Sequence, residues 1–231
     1  MNKVILTNDR IFMAVVGPSG CGKTRLIFSM LTGSTFQPKF QKIYFFYREY
    51  QQLYSEIKSK IDIEFVQTLD FELIKKLNNC LLIFDDSCEE IFEEKDFCKI
   101  AVSGRHKKVH VIFVKHNLFH QSKQSRTIDL NTTHYILFNS PRDVQQINYF
   151  GKQLNKQQFL KESYEKAISE PHGHLLIDLD PKTSDALRFC SNIVGPGPSI
   201  LYIPSAKAVT TDIHNEREKA AYTKALVETK R

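Results

Sequence analysis

No uninterrupted apolar run in these 231 residues approaches the roughly 20 needed to cross a bilayer, so a membrane-spanning helix is not expected. The N-terminal "MNKVILTNDR" has an apolar run too short for a signal-peptide core, and Asn-Asp-Arg stands where a small-residue cleavage site should be. The expectation is a protein of the cytosol or nucleus. Cysteine is scarce: Cys21, Cys80, Cys88, Cys98 and Cys190 form an odd set with no C-x-x-C spacing. That argues against a disulfide framework and against a zinc ribbon, and reduced thiols are expected. Two H-x3-H pairs, His106/His110 and His116/His120, would each need one helical face to share a metal. His110 and His116 instead flank "VIFV", which reads as a strand, so zinc is not expected. Internal repeats and low-complexity segments are missing too.

What is present is ordinary for a soluble globular chain: 42% hydrophobic and 25% charged residues. The formal net charge of +6 suits a polyanionic partner without requiring one. Apolar runs at 11–16, 42–47, 63–66, 80–85, 109–114 and 134–138 are near-continuous rather than alternating. Strands buried on both faces look like this, as in a parallel sheet covered by helices. Helical spacing runs between them, at 23–33 through Leu26, Ile27, Met30 and Leu31, and at 143–154 through Val144, Ile147, Gly151 and Leu154. The order is βαβα, an α/β fold with a mainly parallel central sheet flanked by helices. After about residue 170, "HLLIDLDP", "ALRFCSNIVGPGP" and "SILYIP" read as a small antiparallel extension with turn signals. The expected organisation is a core over 1–170, a β-rich extension of the same domain over 171–205, and a polar helical or frayed tail over 206–231.

"GPSGCGKT" fits G-x-x-x-x-G-K-[ST], with Gly17, Gly22, Lys23 and Thr24 at the fixed positions. In such a loop, successive backbone N–H groups point at phosphates and glycines allow the close approach. Lys23 reaches the β- and γ-phosphates, Thr24 offers its hydroxyl to Mg²⁺, and the helix that follows adds its N-terminal dipole. At average glycine usage the pattern arises by chance in roughly one chain of this length in a hundred. The expected nucleotide-binding set is Gly17, Pro18, Ser19, Gly20, Cys21, Gly22, Lys23, Thr24 and Arg25. A second acid belongs at the end of another strand, and "LLIFDD" supplies Asp85 as Mg²⁺ partner and Asp86 as the residue that orients or deprotonates the attacking water. For Asp86 a helix cap or loop acid is the competing role.

Several nucleotide-using classes are disfavoured. No Asn-Lys-x-Asp guanine-reading segment lies late in the chain, "SKID" at 59–62 being the nearest echo. The faint ABC-signature likeness "VSGRH" at 102–106 follows the acid-bearing strand instead of preceding it. The arginine-rich lid of nucleotide kinases is not obvious.

Residues 104–154 then carry Arg105–His106, the strand 109–114, Asn117–Phe119, Arg126 to Asn131, the strand 134–138 and Pro141–Ile147. With the phosphate loop, this arrangement resembles the packaging ATPases of the FtsK–HerA superfamily, and most nearly the A32-like branch of poxviruses, virophages and Polinton elements. The resemblance covers about residues 11–160. It implies an ATP- and Mg²⁺-dependent motor, a homo-oligomeric ring that drives double-stranded DNA into a capsid or portal-like component. Its setting would be the host nucleus or a cytoplasmic virus factory, or the virion itself, with no membrane partner. It also implies a polar sensor after the strand at 109–114. The family usually places Gln there; here the position falls on His116, with Asn117 beside it as the alternative. An arginine finger from a neighbouring subunit is implied, with Arg105 first and Arg126 and Arg142 as rivals. The basic run 105–108 with Lys115, Lys123 and Arg126 would face a DNA backbone, since such contacts neutralise phosphates without reading sequence. A nucleotide or nucleoside kinase and a non-catalytic, ATP-gated DNA-binding protein stand as the alternatives.

Overall fold

The structure, a computed structural model, describes residues 3–204 apart from 8, 34, 38–39, 86–90, 92 and 120–121. One sheet organises it, with nine strands among the described residues: β1 (Phe12–Val16), β2 (Lys42–Phe46), β3 (Glu64–Val66), β4 (Cys80–Phe84), β5 (Val109–Lys115), β6 (His134–Phe138), β7 (His174–Asp178), β8 (Phe189–Ser191) and β9 (Ile200–Tyr202). The spatial order is β3-β2-β4-β5-β1-β6-β7-β8-β9. The first six run parallel, and the last three pair antiparallel onto β6 and onto one another.

Burial explains the apolar runs. Every residue of β1, β4, β5 and β6 is buried. Helices cover the sheet: α1 (Lys23–Thr32), α2 (Gln52–Lys58), the single turn α3 (Phe71–Ile74), α4 (Lys95–Ser103), α5 (Lys123–Asn131), α6 (Val144–Gln153) and α7 (Gln157–Ala167). Leu26, Ile27, Phe28 and Met30 form the inner face of α1. Ser122 begins α5 by accepting from the Ser125 N–H, and Asp70 begins α3 by accepting from the N–H groups of Glu72 and Leu73. Aromatic rings knit the parallel half together: Phe12 lies 5.3 Å from Phe113, and Phe46 stacks on Phe84 at 4.8 Å. No helix among the described residues is long and apolar enough to cross a membrane.

This order fixes where chemistry can occur. The β1 ladder pairs Val16 with Lys115 of β5 and with Leu137 of β6. The loop after β1 therefore emerges at the carboxyl ends of the parallel strands, where ligands of open α/β sheets bind. Since β7 is antiparallel to β6, it begins at this same end, with His174 opposite Phe138.

Candidate nucleotide site

The loop Gly17–Thr24 turns from β1 into α1. The Gly17 N–H donates to the Lys115 carbonyl at 3.0 Å, which extends the β1–β5 ladder into the loop. A side chain at Gly17 would place its Cβ 2.7 Å from Phe138 Cβ and 2.9 Å from Cys21 Sγ, so the neighbouring strand demands glycine there. Gly22 caps α1 at φ 105°, a left-handed conformation that favours glycine. Ser19 and Gly20 are exposed at the loop tip and Arg25 is exposed on the first turn of the helix. Burial raises the Cys21 thiol above its ordinary pKa, so it behaves as packing rather than as a thiolate.

Lys23 is buried, and its Nζ donates to the Gly17 and Pro18 carbonyls, each at 2.8 Å. These two bonds hold the ammonium inside the curl of the loop on neutral backbone oxygens. Thr24 Oγ1 donates to Asp85 Oδ2 at 2.7 Å. Asp85 directly follows β4 and is buried, so the hydroxyl and the carboxylate meet across the top of β5. Two hard oxygen ligands at such a junction suit Mg²⁺, which is held by few protein oxygens plus phosphate and water. Asp86 lies outside the described residues, as do Cys88 and His120.

The other expected residues separate into two groups. His116 and Asn117 are exposed in the turn after β5, at the phosphate end. Arg142 is exposed in the turn after β6, and Arg126 is exposed on α5, which starts shortly beyond the His116 turn. Arg105 is different. It sits on a 3₁₀ turn, Gly104–Lys107, that leads into the amino end of β5, so the length of the sheet separates it from the phosphate loop of its own chain. Its side chain is 59% exposed, and its guanidinium lies 3.9 Å from the Asp9 carboxylate.

One expectation is overturned. Lys115 does not face outward toward DNA: its side chain is 2% exposed, and Nζ donates to Asp129 Oδ1 at 2.7 Å and to the Leu118 carbonyl at 2.8 Å. β5 runs one residue further than its apolar pattern, which carries Lys115 into the ladder. Asp129, on α5, supplies the countercharge, and the Leu118 bond ties down the turn that bears His116.

The sequence also did not disclose the second wall of the site. In the segment between α7 and β7, His172 Nδ1 donates to the Cys21 carbonyl at 3.0 Å, and the ring stands 3.3 Å from where a Gly22 Cβ would be. Tyr164 of α7 donates its hydroxyl to the Phe138 carbonyl at 2.8 Å and accepts from the Ser140 N–H at 3.1 Å, which pins the end of β6 beside the loop. The signal available was "PHGH", two histidines about a glycine at the start of a strand that pairs with β6. Only the antiparallel direction brings it to the phosphate end.

The sequence profile described as "Poxvirus A32 protein" matches residues 1–163. None of the curated proteins matches the chain. Among solved structures, the chain is similar to the genome packaging NTPase B204 from Sulfolobus turreted icosahedral virus 2 in complex with AMPPCP. That match has 14% identity and a TM-score of 0.52, over 85% of this chain and 99% of that one. It is also similar to B204, the DNA-packaging ATPase from Sulfolobus turreted icosahedral virus, with 11% identity and a TM-score of 0.51 over 86% and 99% of the two chains. At these identities the likeness shows the fold alone, a mostly parallel sheet covered by helices.

Proposed function

The chain belongs to the poxvirus A32 protein family, and we propose that it is a genome-packaging ATPase, hydrolysing ATP to drive double-stranded DNA into a capsid. The observation that carries this reading is the convergence of Lys23, Thr24 and Asp85 at the carboxyl ends of the parallel strands β1 and β4, across the top of β5, with Thr24 and Asp85 2.7 Å apart.

The chemistry follows from the groups in place. Backbone N–H groups of the loop, together with the N-terminus of α1, receive the phosphates. Lys23 exchanges two carbonyl partners for phosphate oxygens, a local swing of one ammonium with no rearrangement of the loop. Thr24 and Asp85 are the residues that would hold Mg²⁺, which when bound would supply positive charge against the phosphates. Water attacks the γ-phosphorus, the bond to the ADP oxygen breaks, and the water's proton passes toward a carboxylate. Asp86 is assigned that role. His116 or Asn117, held by the Lys115-anchored turn, donates toward the γ-phosphate.

Arg105 lies too far along the sheet to serve its own loop, so its role as a finger requires a neighbouring subunit in a ring. Arg126 and Arg142 are the candidates already at the phosphate end. The exposed residues Arg105, Lys107, Lys108, Lys123 and Arg126 supply positive charge for a DNA backbone without base readout. The site of action is wherever the genome is packaged, the nucleus or a virus factory, against a capsid or portal-like partner.

The test is ATP turnover with and without double-stranded DNA, combined with a mass measurement in ATP. DNA-stimulated turnover by a ring is expected. Turnover that needs a small-molecule phosphoryl acceptor would replace this reading with a kinase, and slow, DNA-independent turnover by a monomer would replace it with an ATP-gated binding protein.

A further inference from the structure

The peptide that joins Cys21 to Gly22 decides whether the phosphate loop offers a donor or an acceptor at that point. No cis peptide bond occurs among the described residues, so the carbonyl and the N–H of this peptide face opposite ways. Gly22 sits at φ 105°, and glycine takes either sign of φ with little penalty. Rotation of this one peptide is therefore cheap, and it would exchange an N–H for a carbonyl oxygen on the phosphate side. A loop that shows the oxygen there repels the anion it must hold.

His172 holds that carbonyl. Its Nδ1 lies 3.0 Å from the Cys21 carbonyl oxygen, which only accepts, so Nδ1 carries the hydrogen. The same nitrogen is 3.3 Å from where a Gly22 Cβ would be, so a side chain at position 22 would crowd the contact. The turn that presents the ring is itself fixed. His172 adopts φ 60°, a left-handed conformation that few residues other than glycine, Asn, Asp and His enter. The Gly173 N–H donates to the Glu170 carbonyl at 2.9 Å, and a Cβ at Gly173 would collide with the Ala167 carbonyl oxygen. On the other side, His174 Nδ1 donates to the His172 carbonyl at 3.1 Å, and the His174 ring packs on Phe138 at 5.3 Å between centroids. A costly backbone conformation persists where surrounding contacts enforce it, and here its product is the placement of one ring against the loop.

We infer that His172 is a positioning residue of the phosphate loop: its Nδ1–H holds the Cys21 carbonyl against the antiparallel extension, which keeps the Gly22 N–H turned toward the phosphates. The inference rests on the nucleotide reading of the loop and adds to it a lock that the loop does not itself contain. His172 acts through the backbone and moves no proton of the reaction. The Gly22 N–H serves the phosphates before and during hydrolysis alike, so the lock favours binding and leaves the chemical step alone. It acts on phosphates whatever nucleoside they carry.

The experiment is calorimetric titration of the full chain, in Mg²⁺, with inorganic tripolyphosphate and with ATP, alongside steady-state ATP turnover. His172→Gly accepts the left-handed backbone and removes the donor. It should bind tripolyphosphate and ATP each about tenfold more weakly, the scale of one hydrogen bond. In turnover KM should rise about tenfold with kcat within about twofold of wild type. His172→Asn tolerates the same backbone and carries an N–H donor the same number of bonds from it, so it should restore affinity and KM to within about twofold. Unchanged affinity in His172→Gly, equal losses in His172→Gly and His172→Asn, or a loss confined to kcat overturns the inference and leaves the loop reading intact. Failure of wild type to bind both tripolyphosphate and ATP overturns the loop reading and the inference with it. Should His172→Gly fail to fold, ¹⁵N NMR of the wild-type chain decides: with the His172 ring neutral, a hydrogen on Nδ1 supports the lock and a hydrogen on Nε2 alone overturns it.

Discussion

At the carboxyl ends of the parallel strands, Lys23 rests on two backbone carbonyls and Thr24 on Asp85. At the amino ends the polar groups bond mostly to backbone within the fold. Arg10 is 8% exposed, donates to the Ile100 carbonyl at 2.8 Å and lies over the Phe12 ring. The Ile11 N–H donates to His110 Nδ1 at 3.1 Å, and the Phe12 N–H to Thr133 Oγ1 at 3.0 Å. Both ends bury polar atoms, but the first set has partners a phosphate or a metal can replace, whereas the second closes the backbone of β1. Substitutions at the carboxyl ends should therefore cost activity, and those at the amino ends should cost stability.

Lys115 is the residue expected to break that division, and with the largest effect. It sits at the carboxyl end yet is locked to Asp129. Lys115→Met removes the positive charge opposite a mostly buried carboxylate, and a loss of about 3–5 kcal/mol of unfolding free energy is expected, measured by chemical denaturation. Stability equal to wild type would show the pair to be dispensable.

Lys23→Ala tests the rule from the other side. Turnover should fall by about 10²–10³-fold, the scale for removing one preorganised charge-stabilising donor, while the thermal midpoint moves little because no charge loses its partner. Normal turnover in a folded variant would remove the loop from catalysis.

Asp85→Asn should weaken the Mg²⁺ dependence of nucleotide binding about tenfold and leave metal-free binding near wild type, as read by titration at fixed nucleotide. Equal Mg²⁺ dependence would return Asp85 to a purely structural role.

The smallest effect belongs to the amino end. Burial, and next the nearby Arg10 charge, push the His110 pKa from 6.5 down to about 4. The unfolded chain binds this proton first as pH falls, so stability declines from pH 6.5 toward pH 4. For this group alone, the step from about pH 6.5 to 5.5 should cost about 1 kcal/mol. His110→Gln should flatten that part of the stability profile without altering ATP affinity; an unchanged slope would assign the acid sensitivity elsewhere, with the buried His134 next in line.

Much of this division was open to reading in the residues. The phosphate loop is a contiguous signal, and strands buried on both faces announce themselves as apolar runs. The extension after residue 170 was visible as antiparallel, but its contribution to the site depends on which strand it joins. Its pairing with β6 puts His172 and His174 beside a loop some 150 residues earlier in the chain. Lys115 misled because a charged residue at a strand end ordinarily marks the surface, and its partner comes from the next helix. Arg105 was a sound candidate by motif, but only the strand order reveals that it stands at the far end of the sheet from Lys23.

One feature of that order governs the making of the molecule. β1 comes first in the chain yet lies between β5 and β6, residues 109–115 and 134–138. A ribosome adding about 5–20 residues per second needs roughly 6–25 seconds to go from β1 to the end of β6. Until β5 has been made "FMAVV" has neither neighbour, and until β6 follows it has only one, so hydrogen-bonding edges and apolar faces stay open. The pairing is long-range and parallel, the slowest kind to form. The newly made chain is therefore expected to depend on chaperones that cover apolar segments, and a fragment ending before residue 134 is expected to aggregate instead of folding.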